Sequence, residues 1–238
     1  MIARLRRVSI AVVAMLTIAS ACPADSGGYR AGRGGIGGQI GGASVVAENE
    51  YSTGAAARFS FSGHWRYAIT PWLRWQISPG FTWSSYPNQD RAPFRDINFP
   101  LDSTKTNYLT LLAPVSVQLQ FTASRGPWLY YAGAGPGAYR VWVENRRKVL
   151  RDPVSLKLHR GVYPGATVQV GFERFLKALP STSIEVSIDS HYAFARRDDQ
   201  FPSGWNSKLL DVGIRIGGNY YFVPNAPKKK ASGVPALP

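Results

Sequence analysis

Three histidines and one cysteine are the scarcest reactive side chains of this 238-residue chain. Nucleophilic catalysis needs a nucleophile, a base and an orienting acid brought close together. The nearest approach is Ser190-His191-Tyr192-Ala193, where His191 falls in the polar row of an alternating segment, as a core residue would. His64 lies inside a second alternating segment, and His159 stands in a charged stretch with no evident partner. A lone histidine in such settings is structural, so no catalytic residue is assigned and the chain reads as non-enzymatic. No group of His, Cys, Asp and Glu has the spacing of a metal site. Gly133, Gly135 and Gly137 have no helix after them, so they imply no dinucleotide site. No cofactor is expected.

Charge is the stronger signal. Arg58, Arg66, Arg74 and Arg215 fall in polar rows together with Glu173, Glu185, Asp189 and Asp211. These four cations and four anions are interleaved with Gln76, Gln118, Gln120, Gln169, His64 and His191. If the rows face a shared interior, the charges must be paired and hydrogen-bonded, because burying a lone charge is prohibitively costly. A balanced set reads as a polar core, with an open pore as the alternative. A second concentration runs from Glu144 to Arg160. There Arg146, Arg147, Lys148, Arg151, Lys157 and Arg160 stand against Glu144 and Asp152, six cations and two anions, for a net of +4.

The elements that must position these rows are strands. Thr182 to Phe194 sets Ile184, Val186, Ile188, Tyr192 and Phe194 against Glu185, Ser187, Asp189 and His191, the period of two of a half-buried strand. Leu109 to Phe121 repeats it, as do Ala55 to Tyr67, Leu73 to Trp83, Val162 to Phe175 and Leu210 to Phe222. Gly35 to Val46 and Trp128 to Trp142 are Gly-rich but of matching length, which brings the count to eight. Connections alternate in length. Thr70-Pro71, Ser124-Arg125-Gly126 and Ala178 to Ser181 are tight. Glu48 to Thr53 is modest, and Tyr86 to Lys105, Val143 to His159 and Ala195 to Asn206 are long. That rhythm predicts an all-β, eight-stranded antiparallel up-and-down transmembrane β-barrel. An eight-stranded barrel is just wide enough for side chains to fill.

Alternation alone does not say which row faces out. A soluble barrel would point its apolar row inward, whereas a membrane barrel reverses it. The membrane is favoured by aromatics near strand ends, among them Trp65, Tyr67, Trp72, Trp75, Trp83, Trp128, Tyr130, Trp142, Tyr192 and Phe194, which suit the two interfaces. It is favoured also by the N-terminus, where MIARLRR, a short apolar run and SACPAD form a secretory signal. Residues 1–21 are read as that signal, with cleavage falling between residues 21 and 24. Cys22 next to the cut leaves lipidation open, and with one cysteine no internal disulfide forms. Residues 22–32 are a flexible lead, 33–222 the barrel, and 223–238 a disordered Lys/Pro-rich periplasmic tail. The formal charge of +14, less Arg4, Arg6 and Arg7 of the signal, leaves about +11. No basic patch is interleaved with aromatics, so nucleic acid is not an expected partner.

The last segment completes the picture. Arg215-Ile216-Gly217-Gly218-Asn219-Tyr220-Tyr221-Phe222 resembles the C-terminal insertion signal of bacterial outer-membrane barrels, with Arg215, Gly217, Tyr220 and Phe222 at the matching positions. The mature chain, including GAGPGAYR and GVYPGATVQVGFERF, resembles the small bacterial outer-membrane β-barrel domain family, part of a porin-like superfamily. One departure is the tail that follows the signal. The resemblance implies a monomer in the bacterial cell outer membrane of a Gram-negative cell, recognised by the barrel-assembly machinery. Its partners would be outer-membrane lipid and lipopolysaccharide. Arg146, Arg147, Lys148 and Arg151 are then candidates for lipopolysaccharide phosphates through charge-assisted hydrogen bonds; a loop kept soluble by its charge is the alternative. The function expected is structural or surface-interaction, with a plugged polar lumen. A narrow porin-like diffusion channel is second, and an outer-membrane lipid-modifying enzyme third. The deacylase pattern has Ser two residues after His, and here that position is Ala193.

Overall fold

A computed structural model of the chain describes residues 31–45, 56–86, 108–145, 147–195 and 209–222. The signal, Cys22 and the tail lie outside the described residues. The chain forms β1 (Gly34–Val45), β2 (Arg58–Thr70), β3 (Leu73–Tyr86), β4 (Tyr108–Arg125), β5 (Trp128–Asn145), β6 (Lys148–Val149), β7 (Arg160–Leu176), β8 (Leu179–Ala193) and β9 (Leu209–Tyr221). Eight of these close a ring in the order β1-β2-β3-β4-β5-β7-β8-β9, with β9 pairing back to β1, and every pairing is antiparallel. The two-residue β6 adds to the end of β5. The expected all-β, eight-stranded up-and-down barrel is the observed fold.

Strand ends differ from the alternating segments by a few residues. β4 and β5 pair out to Arg125↔Trp128, leaving only Gly126 and Pro127 in the turn. Gly126 has φ +58°, a conformation that costs glycine nothing. β7 and β8 meet around Lys177–Ala178, ahead of the expected Ala178 to Ser181, after a register shift between Phe175 and Leu176. Backbone ladders need no apolar side chain, so pairing continues past the last periodic residue.

The two faces are inverted relative to a soluble protein. Val117, Leu119, Ile214 and Ile216 point outward and are 47–61% exposed, while Arg66, Arg74, Glu173 and Glu185 are all within 1% of fully buried. An apolar wall around a polar interior makes this a membrane-spanning barrel. Glycines on the inner wall give the lumen tyrosines room to lie flat. A Cβ added at Gly171 would stand 2.6 Å from the Tyr131 hydroxyl, and one at Gly35 would stand 2.8 Å from the Tyr221 ring.

Candidate functional site

The lumen is layered. At the short-turn rim Ala68, Leu129, Phe175 and Tyr221 form an apolar floor. Above it lies a charged layer drawn from strands distant in sequence. Arg66 on β2 donates to Glu173 Oε1 at 3.0 Å, to Glu185 Oε1 at 2.5 Å and to Gln76. Arg74 on β3 donates to the same Glu173 oxygen at 2.5 Å, to Gln120 at 2.6 Å and to the Tyr221 hydroxyl at 3.1 Å. Its guanidinium also sits 4.5 Å from the Tyr131 ring centroid.

The carboxylates are met from the other side as well. Glu173 Oε2 accepts from Ser183 Oγ at 2.7 Å, Tyr221 Oη at 2.6 Å and Asn219 Nδ2 at 3.1 Å. Glu185 accepts from Tyr131 Oη and Asn219 Nδ2. His64 Nε2 faces Asn219 Oδ1 at 2.5 Å, which makes the imidazole the donor. Gln169 Oε1 then receives Gln76 and Gln120, each at 3.0 Å, and Gln118 Oε1 receives Gln120 at 3.2 Å. Two cations and two anions are thus dry yet bonded, the condition under which a buried charge cluster is tolerated.

Toward the long loops the pattern loosens. Arg215 Nη2 and His191 Nε2 approach Asp189 Oδ2 at 3.1 and 3.0 Å. Neither contact has hydrogen-bond alignment, and both Asp189 oxygens and both His191 nitrogens lack an aligned partner. Arg215 Nε does donate to Ser60 Oγ at 3.1 Å. Asp211 is 1% exposed, and no cation stands within ion-pair distance of it among the described residues. Tyr139 meets the His191 ring edge-on at 5.7 Å.

Arg58 departs from the expected set. It is on the inward register of β2 but at its first position, where it is solvent-exposed and donates to Ser85 at 2.6 Å. The barrel mouth, not its core, holds this cation.

An apolar ceiling of Leu112, Val141, Val143, Leu150 and Leu209 closes the long-loop end. Leu150 belongs to the stretch expected as an exposed basic loop, so that expectation needs correction. β5 extends to Asn145, and residues 147–159 fold back over the mouth, with Leu150, Asp152 and His159 fully buried. Asp152 Oδ1 accepts from the backbone of Val154 and Ser155 at 2.8 Å, and His159 lies 3.9 Å from Asp152 Oδ2. His159 therefore has a partner that the sequence did not show. Arg147, Lys148 and Arg151 remain exposed, with Arg151 donating to Leu156 O at 3.1 Å; Arg146 lies outside the described residues.

β9 closes the ring through the proposed insertion signal. Arg215 points into the lumen, while Tyr220 and Phe222 face outward at 49% and 44% exposure. A Cβ on Gly217 would stand 2.0 Å from Gly38 O, so only glycine permits this approach of β9 to β1. Tyr131, Asn219 and Tyr221 were not singled out from sequence as lumen residues. A signal existed for Tyr221, because outward Tyr220 and Phe222 require it to point in.

No protein-family model matches the chain, and no curated protein sequence does. Among solved structures it is similar to neisserial surface protein A, with TM-score 0.51 and 14% identity over 79% of this chain and 97% of that one. OprG from Pseudomonas aeruginosa gives 0.48 and 14%, covering 83% and 99%. Ail of Yersinia pestis, in complex with the heparin analogue sucrose octasulfate, gives 0.47 and 12%, covering 81% and 99%. At these identities the likeness shows fold. The class is that of the small eight-stranded barrels of outer-membrane type, as the sequence resemblance implied.

Proposed function

We propose that this chain is a monomeric barrel of the bacterial outer membrane, of structural or surface-interaction type, without catalytic activity. The observation that supports this reading is the filled lumen. Arg66 and Arg74, 1% and 0% exposed, are locked to Glu173 and Glu185, with apolar layers toward both rims. A filled barrel leaves its outer wall and its long-loop rim as the surfaces for partners. Arg147, Lys148 and Arg151 are exposed at that rim, where lipopolysaccharide phosphates would meet them. The lumen charge network acts as a core, and Tyr220 and Phe222 offer the assembly machinery an outward aromatic edge.

A narrow diffusion channel is the second reading. It is favoured by the upper lumen, where Asp189, Asp211, His191 and Arg215 have polar atoms without aligned partners. Planar-bilayer recording separates the two, run beside a mass assay for modified lipid A. The filled barrel gives no steady conductance and leaves lipid A unaltered. Stable conductance that shifts when Glu185 or Asp189 is neutralised replaces this reading with the channel, and altered lipid A replaces it with an enzyme.

A further inference from the structure

The outer wall carries a feature at the seam of β5 and β7. Arg140, Trp142 and Arg160 all point outward there, both arginines exposed, with Trp142 directly opposite Arg160 and Arg140 opposite Val162. The two arginines are therefore diagonal neighbours, about 7–8 Å apart at the backbone, within reach of one shared ligand. The Arg140 guanidinium lies 5.3 Å from the Trp142 ring centroid. The indole is itself held by donating Nε1 to Glu144 Oε1 at 2.8 Å. Among the described residues, no carboxylate lies within ion-pair distance of either arginine.

Depth in the bilayer follows from β5 itself. Its first residue, Trp128, is opposite Arg174, whose guanidinium lies 5.2 Å from that indole. Trp128 and Trp142 are 14 residues apart (142 − 128). At ~3.4 Å per residue and a tilt of ~40°, that is roughly 36 Å along the membrane normal. The apolar band of such barrels is ~25 Å tall. Trp142 and its two arginines thus stand in the headgroup layer at the long-loop side.

Below them the wall is low. Pro136 opposes Ala166 and Ala138 opposes Pro164, all four outward and exposed. These small side chains leave a shallow shelf running from the arginines toward the midplane. A cationic pair over an apolar shelf matches a phosphorylated headgroup with several acyl chains.

We propose that Arg140, Arg160 and Trp142 form a binding site for the phosphorylated sugar headgroup of an outer-leaflet lipid of the lipid A class. One phosphate lies between the two guanidiniums, and acyl chains run down the Pro136–Ala138–Pro164–Ala166 shelf. The site rests on the outer-membrane reading above and deepens it, adding lipid recognition on the barrel wall to that at the long-loop rim.

The test titrates the exported, detergent-purified barrel with bisphosphorylated lipid A and counts bound lipid by native mass spectrometry. The wild type should retain one lipid A, and the R140Q/R160Q variant should bind about tenfold more weakly or worse, having lost its charge-assisted bonds. Lipid A stripped of both phosphates should bind the wild type as weakly. R174Q removes the same arginine–indole contact at the other interface and should bind like the wild type; heat-modifiable gel mobility checks the fold of each variant. Equal affinity of R140Q/R160Q and wild type, equal affinity for the dephosphorylated lipid, or equally tight binding of phosphatidylglycerol would each overturn the site. Failure of the outer-membrane reading appears elsewhere, as a wild-type protein that does not fractionate with outer membranes.

Discussion

Near the short turns, Arg66 and Arg74 share Glu173 and are braced by Gln76, Gln120, Tyr131, Asn219 and Tyr221. Toward the long loops, Arg215 and His191 approach Asp189 at similar distances, yet their polar atoms are not aligned to bond it. Both regions bury charge of both signs. They differ in the neutral residues around it. Glutamine, asparagine and tyrosine are long enough to turn their polar ends toward a guanidinium or carboxylate, and in the lower half they do so. Ser187 and Thr82 in the upper half are short, and their hydroxyls have no bonded partner among the described residues; Ser60 reaches only Arg215 Nε. Charge alone does not make a core; the neutral bracing does, because a buried group short of a hydrogen bond carries its full desolvation cost.

Removing the shared carboxylate tests that difference most severely. Glu173→Ala takes an anion from two guanidiniums, leaves Ser183 and Tyr221 without their acceptor, and costs Asn219 one of its bonds. Breaking a buried ion cluster from one side costs about 3–5 kcal/mol. Asp189→Ala removes contacts that are close but unaligned, and about 1–3 kcal/mol is expected. Urea midpoints in lipid vesicles, read by heat-modifiable mobility, give both values. If Asp189→Ala proves the more damaging, the contrast between the two halves is wrong.

A cation on the outer wall should act through lipid, independently of either layer. Val168→Arg places it outward on β7, beside inward Gln169, at a cost of ~2–4 kcal/mol near the midplane. The loss should appear as reduced insertion into vesicles. An effect that vanishes when Glu173→Ala is already present would mean the wall and the lower layer are not separate.

Much of this was legible in the sequence. The alternating segment Thr182 to Phe194 fell within three residues of β8's actual ends, because a period of two is imposed by the pleat itself. Membership of the lumen followed from the same parity for Glu173 and Glu185. Which cation meets which anion did not follow, since Arg66 and Glu173 are 107 residues apart and meet only through the stagger of a closed barrel. Arg58 was misplaced because parity gives a face but no depth. The cap of residues 147–159 stayed hidden for another reason. Its burial of Leu150 and Asp152 depends on tertiary contacts and an Asx turn, and neither repeats along the chain.

The closing strand offers a smaller, kinetic effect. Tyr220→Ser with Phe222→Ser removes two outward rings that contact each other at 5.7 Å without touching the charged layer. The folded barrel should keep its stability order, while less of the exported chain reaches the heat-modifiable form. Deleting residues 223–238, a segment with Pro224, Pro227, Pro235 and Pro238, should matter less. Assembly blocked by the deletion and spared by the double serine change would reverse the roles given to these segments.

The smallest effect expected is none, and it distinguishes the layers as barriers. Asp189→Ala with Arg215→Ala empties the loosely bonded half of its central pair but leaves Arg66, Arg74, Glu173 and Glu185 in place. An ion entering from the long-loop side would still meet four charged side chains bonded to one another across the full width of the lumen. Eight strands leave no room beside them. Planar-bilayer recordings of this double variant should therefore match the wild-type baseline. Steady current from it would show that the upper pair was the barrier, and that the braced layer below is permeable despite its hydrogen bonds.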